Sequence, residues 1–267
     1  MILPPCPFCG GASYVAVTLP AHRVLACSKC HIARTDPPPP AIPYEEEDFH
    51  AAFPFNSLDE LPPDWRRGVD MQAALLRRHL GPKGRVLEIG CGQGFLLAAM
   101  VRAGLDATGV EPSKSAAAAA QRNGLNVATG YFTPADYPGP YDAVVLSHVF
   151  EHLDHPSKFL ADIAASAPGG LLLLAQANWR GLVPRKNQAN WHAWAPTHHY
   201  WHFFPPGLAR WLRTLGVEPV ALEFSSLEHS GYWLSRVARW FPGGGDQFHL
   251  LARLPSTGLL SQAAHTP

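Results

Sequence analysis

The segment Glu88-Ile89-Gly90-Cys91-Gly92-Gln93-Gly94 closes an apolar run and opens onto residues 95–100, which begin at Phe95 and are helical in composition. Glycine tolerates positive φ and lets the backbone approach a ligand closely, and the first amides of a helix face such a loop. The pattern reads as a strand delivering a cofactor loop, with Glu88, Gly90, Cys91, Gly92, Gly94 and Phe95 as its contacts. About twenty residues on, a short strand ends in Glu111-Pro112, where doubly wound nucleotide folds place an acid on ribose hydroxyls. A second chemistry is offered by sulfur. Cys6-Pro7-Phe8-Cys9 and Cys27-Ser28-Lys29-Cys30 are two C-x-x-C pairs one hairpin apart. Cys6, Cys9, Cys27 and Cys30 can close a tetrahedral zinc site, with His31 as a substitute ligand; four protein ligands leave no open position, so this zinc would be structural. The third chemistry is imidazole, the default general base near neutral pH. Of the 14 histidines, His148 and His152 follow a buried strand, and His199 and His202 lie in the aromatic stretch 191–204. His199 is the first candidate for base or substrate binder, His202 the second, with His152 and His148 behind them.

These residues need elements to hold them. From residue 85 the pattern alternates strand and helix: 85–89, 95–103, 106–110, 113–123, 126–129, 142–146, 156–166 and 170–175, which builds a parallel sheet covered by helices on both faces. Residues 208–215 read as a last helix, and 217–224 with 247–254 as a final strand pair. Residues 65–80 form an amphipathic helix stopped by Gly81-Pro82, and 13–19 with 23–26 form the hairpin between the cysteine pairs.

The spacing Glu88-x-Gly90-x-Gly92-x-Gly94, then Glu111, then the strand at 141–146 followed by Ser147-His148-Val149-Phe150-Glu151-His152-Leu153, resembles the motif series of class I S-adenosylmethionine-dependent methyltransferases over residues 75–254. The resemblance implies an α/β, doubly wound, mostly parallel seven-stranded Rossmann-like sheet whose last strand is antiparallel. It places Ser147 and His148 at the methionine end of the cofactor and takes adenine contacts from the loop after the third strand, at Tyr131 and Phe132. It is nearest a small-molecule and glycan branch containing HVxEHLxxP, and residues 199–205 are similar to that branch's HLWHFSP segment. In methyl transfer the cofactor supplies the reactive carbon, so the protein aligns the reactants and removes a proton. His148-x-x-Glu151-His152 also matches an inverted zinc-protease pattern, but that motif needs a helix and here a strand runs straight into it. Asp142 reads as a strand-end acid with a structural hydrogen bond. Arg180, Arg185 and Lys186 could meet an anionic substrate group.

The organisation expected is a zinc ribbon at 1–36, a proline-rich linker and active-site cover at 37–63 separating two domains, the methyltransferase domain at 64–255, and a flexible tail at 256–267. Residues 232–240 read as a helix with a substrate-cap or surface-packing role. Lys and Arg total 21, as do Asp and Glu, a balance that argues against a duplex-coating protein. No stretch approaches a membrane span and no leader pattern opens the chain, so a cytoplasmic location is expected; the C-x-x-C usage favours metal over disulfides.

The reading is an S-adenosylmethionine-dependent methyltransferase for a small-molecule or glycan acceptor, at oxygen, with a histidine base and a structural zinc. The rivals are a ribosomal or transfer RNA methyltransferase that uses the ribbon to read RNA, and a binding protein with a degenerate pocket. The ribbon is read equally as a packing appendage and as a recognition element, and the oligomeric state stays open. Removing the zinc with a chelator should destabilise the N-terminal region and spare cofactor binding, measurable as protease sensitivity beside calorimetric titration with S-adenosylhomocysteine.

Overall fold

The computed structural model describes residues 3–41, 43–46, 54–225, 245–257 and 260. Its larger sheet is ordered β10-β11-β8-β7-β4-β5-β6. The parallel strands are β4 (Arg85–Ile89), β5 (Asp106–Glu111), β6 (Val127–Thr129), β7 (Ala143–Ser147) and β8 (Leu171–Ala177). The Val- and Leu-rich runs of β4, β7 and β8 are buried along most of their length, as a sheet covered on both faces requires, while edge strand β6 is mostly exposed. Strand β11 (Gln247–Arg253) enters antiparallel between β8 and β10 (Glu218–Ser225). This is the doubly wound, Rossmann-like arrangement expected. The order reverses between β4 and β7, which are hydrogen-bonded neighbours, so the crevice at their carboxyl ends is where such a sheet takes a ligand.

Helices α1 (Pro63–Leu80), α2 (Phe95–Arg102) and α3 (Lys114–Arg122) accompany the first half, and α4 (Pro156–Ser166), α5 (Leu182–Asn187) and α6 (Pro205–Thr214) the second. Proline opens α1, α4 and α6, where its missing N–H costs nothing. Asp142, the expected structural acid, accepts the Arg85 amide at 2.8 Å. No described helix is long and apolar enough to cross a membrane. The helix expected at 232–240 and the tail from residue 261 lie outside the described residues.

The N-terminal part differs from expectation in two respects. Besides β1 (Ser13–Leu19) and β2 (His22–Cys27) it has a third strand, β3 (Ala33–Asp36), and the sheet is completed by β9 (Trp201–His202) from the far end of the chain. The proline run at 37–40 therefore does not separate two bodies. Cys6, Phe8, Cys27, Cys30 and Ile32 belong to one core with Trp201, Phe203, Leu208 and Trp211, and Leu19, Val24, Ala26 and Ala33 pack against Trp191 and Trp194. Phe8 meets Trp201 and Trp211 edge-on, each at 4.8 Å. The sequence hides this because a four-residue and a two-residue strand carry almost no periodicity.

At the seam, a Cβ on Gly207 would collide with the Cys30 carbonyl oxygen. Gly207→Ala should loosen the ribbon at a cost of about 1–3 kcal/mol. Urea unfolding would register the loss, and the cysteines should react faster with a thiol reagent than in the wild type.

Candidate active site

The glycine loop is built by backbone conformation. Gly90, Gly92 and Gly94 all have positive φ, at 70°, 54° and 82°. Their surroundings differ. A Cβ on Gly94 would lie 2.5 Å from Leu125 and 3.0 Å from Ala120, so that glycine is required by helix packing, whereas a Cβ on Gly92 would meet nothing within 4 Å. Gly92 therefore borders open space and Gly94 does not. Two acids stand behind the loop. Glu111 is buried at the end of β5 and accepts the amides of Gly92 and Ser113, each at 2.8 Å; burial raises its pKa and those two bonds oppose the rise. Glu88, 2% exposed, has its carboxyl pushed well up by burial and then by the Glu111 charge, and its Oε2 has no protein partner. Cys91 is buried with its thiol against Gly109, and burial keeps it protonated. Phe95 opens α2 half-buried, and Pro112 is half-buried beside Glu111. Buried Gln93, which sequence reasoning passed over, also keeps an unpartnered Oε1 here. An open cradle at Gly92 with an unsatisfied carboxyl oxygen beneath it fits a cofactor carrying ribose hydroxyls.

Tyr131 is 51% exposed on the loop after β6. Phe132 is 9% exposed, its ring against Tyr137 and Phe159. Ser147 ends β7 half-buried, and His148 follows exposed with φ 57°, its amide tied to the Ala175 carbonyl. That left-handed residue turns the chain into the short 3-10 turn Phe150–His152. No helix carries His148, Glu151 and His152, in keeping with rejection of the protease pattern.

The histidines converge around Glu151, whose side chain is 4% exposed. His148 Nδ1 lies 3.4 Å from its Oε1, while Oε2 has no protein partner. Burial pushes the Glu151 carboxyl up, but the His148 hydrogen bond and the neighbouring imidazoles outweigh it and hold it at about 2. The His152 and His199 rings are edge-on at 4.7 Å. His152 Nδ1 faces the Tyr44 hydroxyl at 2.8 Å, and its ring also meets the His198 carbonyl. His199 Nδ1 donates to the Ala193 carbonyl at 3.0 Å, which leaves the lone pair on Nε2. Burial lowers its pKa to about 4 against the pull of Glu151, so the ring is neutral at pH 7. His202 is set apart: 4% exposed, within β9, its Nε2 3.1 Å from Thr35 Oγ1 and its pKa lowered to about 3 by burial.

Tyr44 was not among the expected site residues. The short turn Tyr44–Glu46 bonds His152 and brings Glu45 against Tyr131, so it spans the loop after β6 and the histidine cluster; residues 47–53 of the expected cover lie outside the described residues. Arg180 lies over the Trp179 and Phe204 rings, and Arg185 and Lys186 are exposed on α5.

Among the described residues, two groupings could hold a metal. Cys6, Cys9, Cys27 and Cys30 present sulfurs within 4.8 Å of one another, with Cys6–Cys30 at 3.6 Å and Cys9–Cys27 at 3.4 Å. Zinc–sulfur bonds of about 2.3 Å in a tetrahedron put sulfurs about 3.8 Å apart, so the set fits zinc; His31 is not part of it. The amides of Lys29 and Cys30 donate to Cys27 Sγ at 3.3 and 3.4 Å, orienting the sulfur. Glu151, His152 and His199 form the other grouping, each with one ligand atom within 4.8 Å of the rest.

The methyltransferase domain family matches residues 61–222. This chain belongs to that family. It is similar to the ubiquinone biosynthesis O-methyltransferase of Caulobacter sp. (strain K31), at 37% identity over 51% of this chain and 59% of the relative. It is also similar to that of Thiobacillus denitrificans, at 29% over 61% of this chain and 75% of the relative. The chain spans about three fifths of the length of the first curated relatives it matches. A solved 1,6-didemethyltoxoflavin-N1-methyltransferase of Burkholderia thailandensis, with bound S-adenosylhomocysteine, shares the fold at 20% identity, covering 88% of this chain and 96% of that one with a TM-score of 0.51. The magnesium protoporphyrin IX methyltransferase of Synechocystis PCC 6803 with bound SAH does so at 20% identity over 70% and 82%, with a TM-score of 0.52.

Two outcomes test the geometry. Gly92→Val should fill the cradle and strain a left-handed residue, abolishing S-adenosylhomocysteine binding in calorimetry with the fold retained, whereas Gly94→Val should lower stability through its collision with Leu125. The buried histidines set the pH dependence. His199, His202 and His249 have pKa values lowered by burial to about 4, 3 and 3, while the unfolded chain titrates near 6.5. The unfolded state thus binds protons the folded state refuses, and stability present above pH 6.5 should be lost progressively as pH falls towards 4. Urea unfolding at pH 7.5 and 5 should show it, with a shallower fall in His249→Gln.

Proposed function

We propose that the chain is an S-adenosylmethionine-dependent O-methyltransferase for a small hydroxylated acceptor, with His199 as general base. Family membership and the fit of the Gly92 cradle support the cofactor. The relatives named for ubiquinone biosynthesis support oxygen as the acceptor atom and a phenolic or catecholic hydroxyl over a sugar. The observation that carries the assignment is the state of His199. Its Nδ1–H is committed to the Ala193 carbonyl, and burial keeps Nε2 unprotonated beside the ionised Glu151. His152 has partners for its ring in Tyr44 and the His198 carbonyl, and His202 is held against Thr35, so neither presents a free base.

When bound, S-adenosylmethionine supplies an electrophilic methyl group on a sulfonium. Gly90–Gly94 and Glu111 would hold it from one side of the crevice, with Ser147 and His148 beneath its methionine end. From the other side His199 Nε2 takes the proton from the acceptor hydroxyl as the oxygen attacks, and the Glu151 carboxylate stabilises the imidazolium that forms. Tyr44, bonded to His152, covers the junction of the two halves and excludes water. General base catalysis of this kind contributes about 10²–10⁴-fold.

A second reading has its own observation. Glu151 Oε2 is buried and unpartnered beside His152 and His199, and these three could instead hold a divalent cation against the acceptor oxygen.

Labelled methyl transfer to 3,4-dihydroxybenzoate, a nucleotide sugar and total RNA decides the acceptor class. Label in the catechol is expected; label in RNA alone would overturn the proposal. His199→Gln should lower kcat by about 10²–10⁴-fold with S-adenosylhomocysteine affinity retained, and the acid limb of kcat/KM should fall near pH 4, not 6.5. Activity restored to metal-stripped enzyme by magnesium or manganese, beyond what zinc restores, would select the second reading.

A further inference from the structure

The stretch His199–His202 is held from two sides, and one of those sides is the cysteine ribbon. Strand β3 pairs with β9 in the register Ala33↔His202 and Arg34↔Trp201. The Thr35 amide donates to the Tyr200 carbonyl at 3.0 Å, and the Thr35 hydroxyl donates to the His199 carbonyl at 2.6 Å. A threonine hydroxyl has one proton, and a carbonyl can only accept it. The remaining contact, Thr35 Oγ1 to His202 Nε2 at 3.1 Å, must therefore run the other way, with Nε2–H donating to the hydroxyl oxygen. One side chain thus orients the peptide that carries His199 and fixes the tautomer of His202. Thr35 is 2% exposed and His202 4%, so no water competes for these bonds. The ribbon is clamped around them: Trp179 Nε1 donates to the His31 carbonyl at 2.8 Å, Arg210 to the Lys29 carbonyl at 3.3 Å, and Gly207 leaves no room for a side chain against Cys30.

We propose that Thr35 is a positioning residue for the histidine cluster, and that the four-cysteine ribbon is a fixed wall of the acceptor site instead of a detachable recognition module. This rests on the reading of that cluster as the acceptor side of a methyltransferase. The order of dependence runs from the cysteines through β2 and β3 to Thr35, and from Thr35 to the peptide bearing the base.

The test compares Thr35→Val, which keeps the shape and removes the hydroxyl, with Thr35→Ser, which keeps the hydroxyl. Both are made in the full chain with its zinc content verified. The first readout is the ring-nitrogen spectrum of ¹⁵N-histidine-labelled protein, assigned with His202→Gln. In the wild type His202 should show the Nε2–H tautomer and His199 the Nδ1–H tautomer. Thr35→Val should shift the His202 and His199 resonances, and Thr35→Ser should return them. The second readout is methyl transfer to 3,4-dihydroxybenzoate. Here Thr35→Val should lower kcat by about ten- to a hundredfold, the scale of a misplaced reacting group. Its S-adenosylhomocysteine affinity should stay within twofold, and Thr35→Ser should recover most of the rate. Histidine resonances in Thr35→Val identical to the wild type would overturn the positioning role. Shifted resonances with an unchanged kcat would overturn the wall role. If the wild type methylates none of the probe acceptors, the proposed function falls, while the histidine spectrum still decides the role of Thr35.

Discussion

The backbone between His199 and His202 is the constraint on which the proposed acceptor side depends, because its peptide groups are satisfied from opposite directions by segments far away in sequence. The Tyr200 amide donates to the Glu151 carbonyl at 2.9 Å, while the Tyr200 carbonyl accepts from Thr35; Trp201 Nε1 reaches the Leu153 carbonyl at 2.7 Å. Buried backbone polar groups without partners are costly, so this stretch has one conformation only when the loop after β7 and strand β3 are both in place. The large aromatic side chains on either side of it, Phe8, Trp211 and Phe203, then close the packing, with the Trp211 indole nitrogen buried and without a protein partner.

The two halves of the crevice are preorganised by different means. On the cofactor side the loop is shaped by three left-handed glycines and two buried acids stemming from adjacent parallel strands, all within 24 residues of one another from Glu88 to Glu111. That half needs only the sheet. The proposed acceptor side gathers residues 35, 44, 151–152 and 199–202, where burial lowers the pKa of His199 and His202 while the His148 hydrogen bond and the neighbouring imidazoles hold the Glu151 carboxyl low against burial. A carboxylate buried next to neutral rings that can accept a proton is suited to stabilising an imidazolium that forms transiently.

How much of this the sequence discloses follows from the range of the signals. The cofactor half is local, so glycine spacing, an acid after the next strand and hydrophobic runs point to Glu88, Gly90, Gly92 and Glu111 as candidates and to the succession of strands and helices, whereas the order of the strands in the sheet is set by long-range pairing. The four cysteines were legible because metal geometry imposes their spacing. His199 was visible as an imidazole in an aromatic run, but its separation from His202, three residues away, was not, since that depends on which ring pairs with Thr35. Thr35 itself is an ordinary threonine in a short strand, and Tyr44 an ordinary tyrosine after a proline. Phe132 was read as a cofactor contact from its place after β6, and its ring lies against Tyr137 and Phe159. Nothing local marks Thr35 or Tyr44; they acquire roles only through contacts spanning more than a hundred residues.

The pairing of Ala33 with His202 joins positions 169 residues apart, which sets an order of events while the chain is being made. At synthesis rates of roughly 5–20 residues per second, β3 leaves the ribosome on the order of 8 to 34 seconds before its partner exists. Through that interval a hairpin with an unpaired strand edge and an uncovered apolar face must persist in the cell without joining another nascent chain. The cysteine cluster is the one part of this domain that can be completed from the first 30 residues alone. Early metal capture would thus act as a chaperone encoded in the chain itself, holding the ribbon in register until the C-terminal half arrives to close over it.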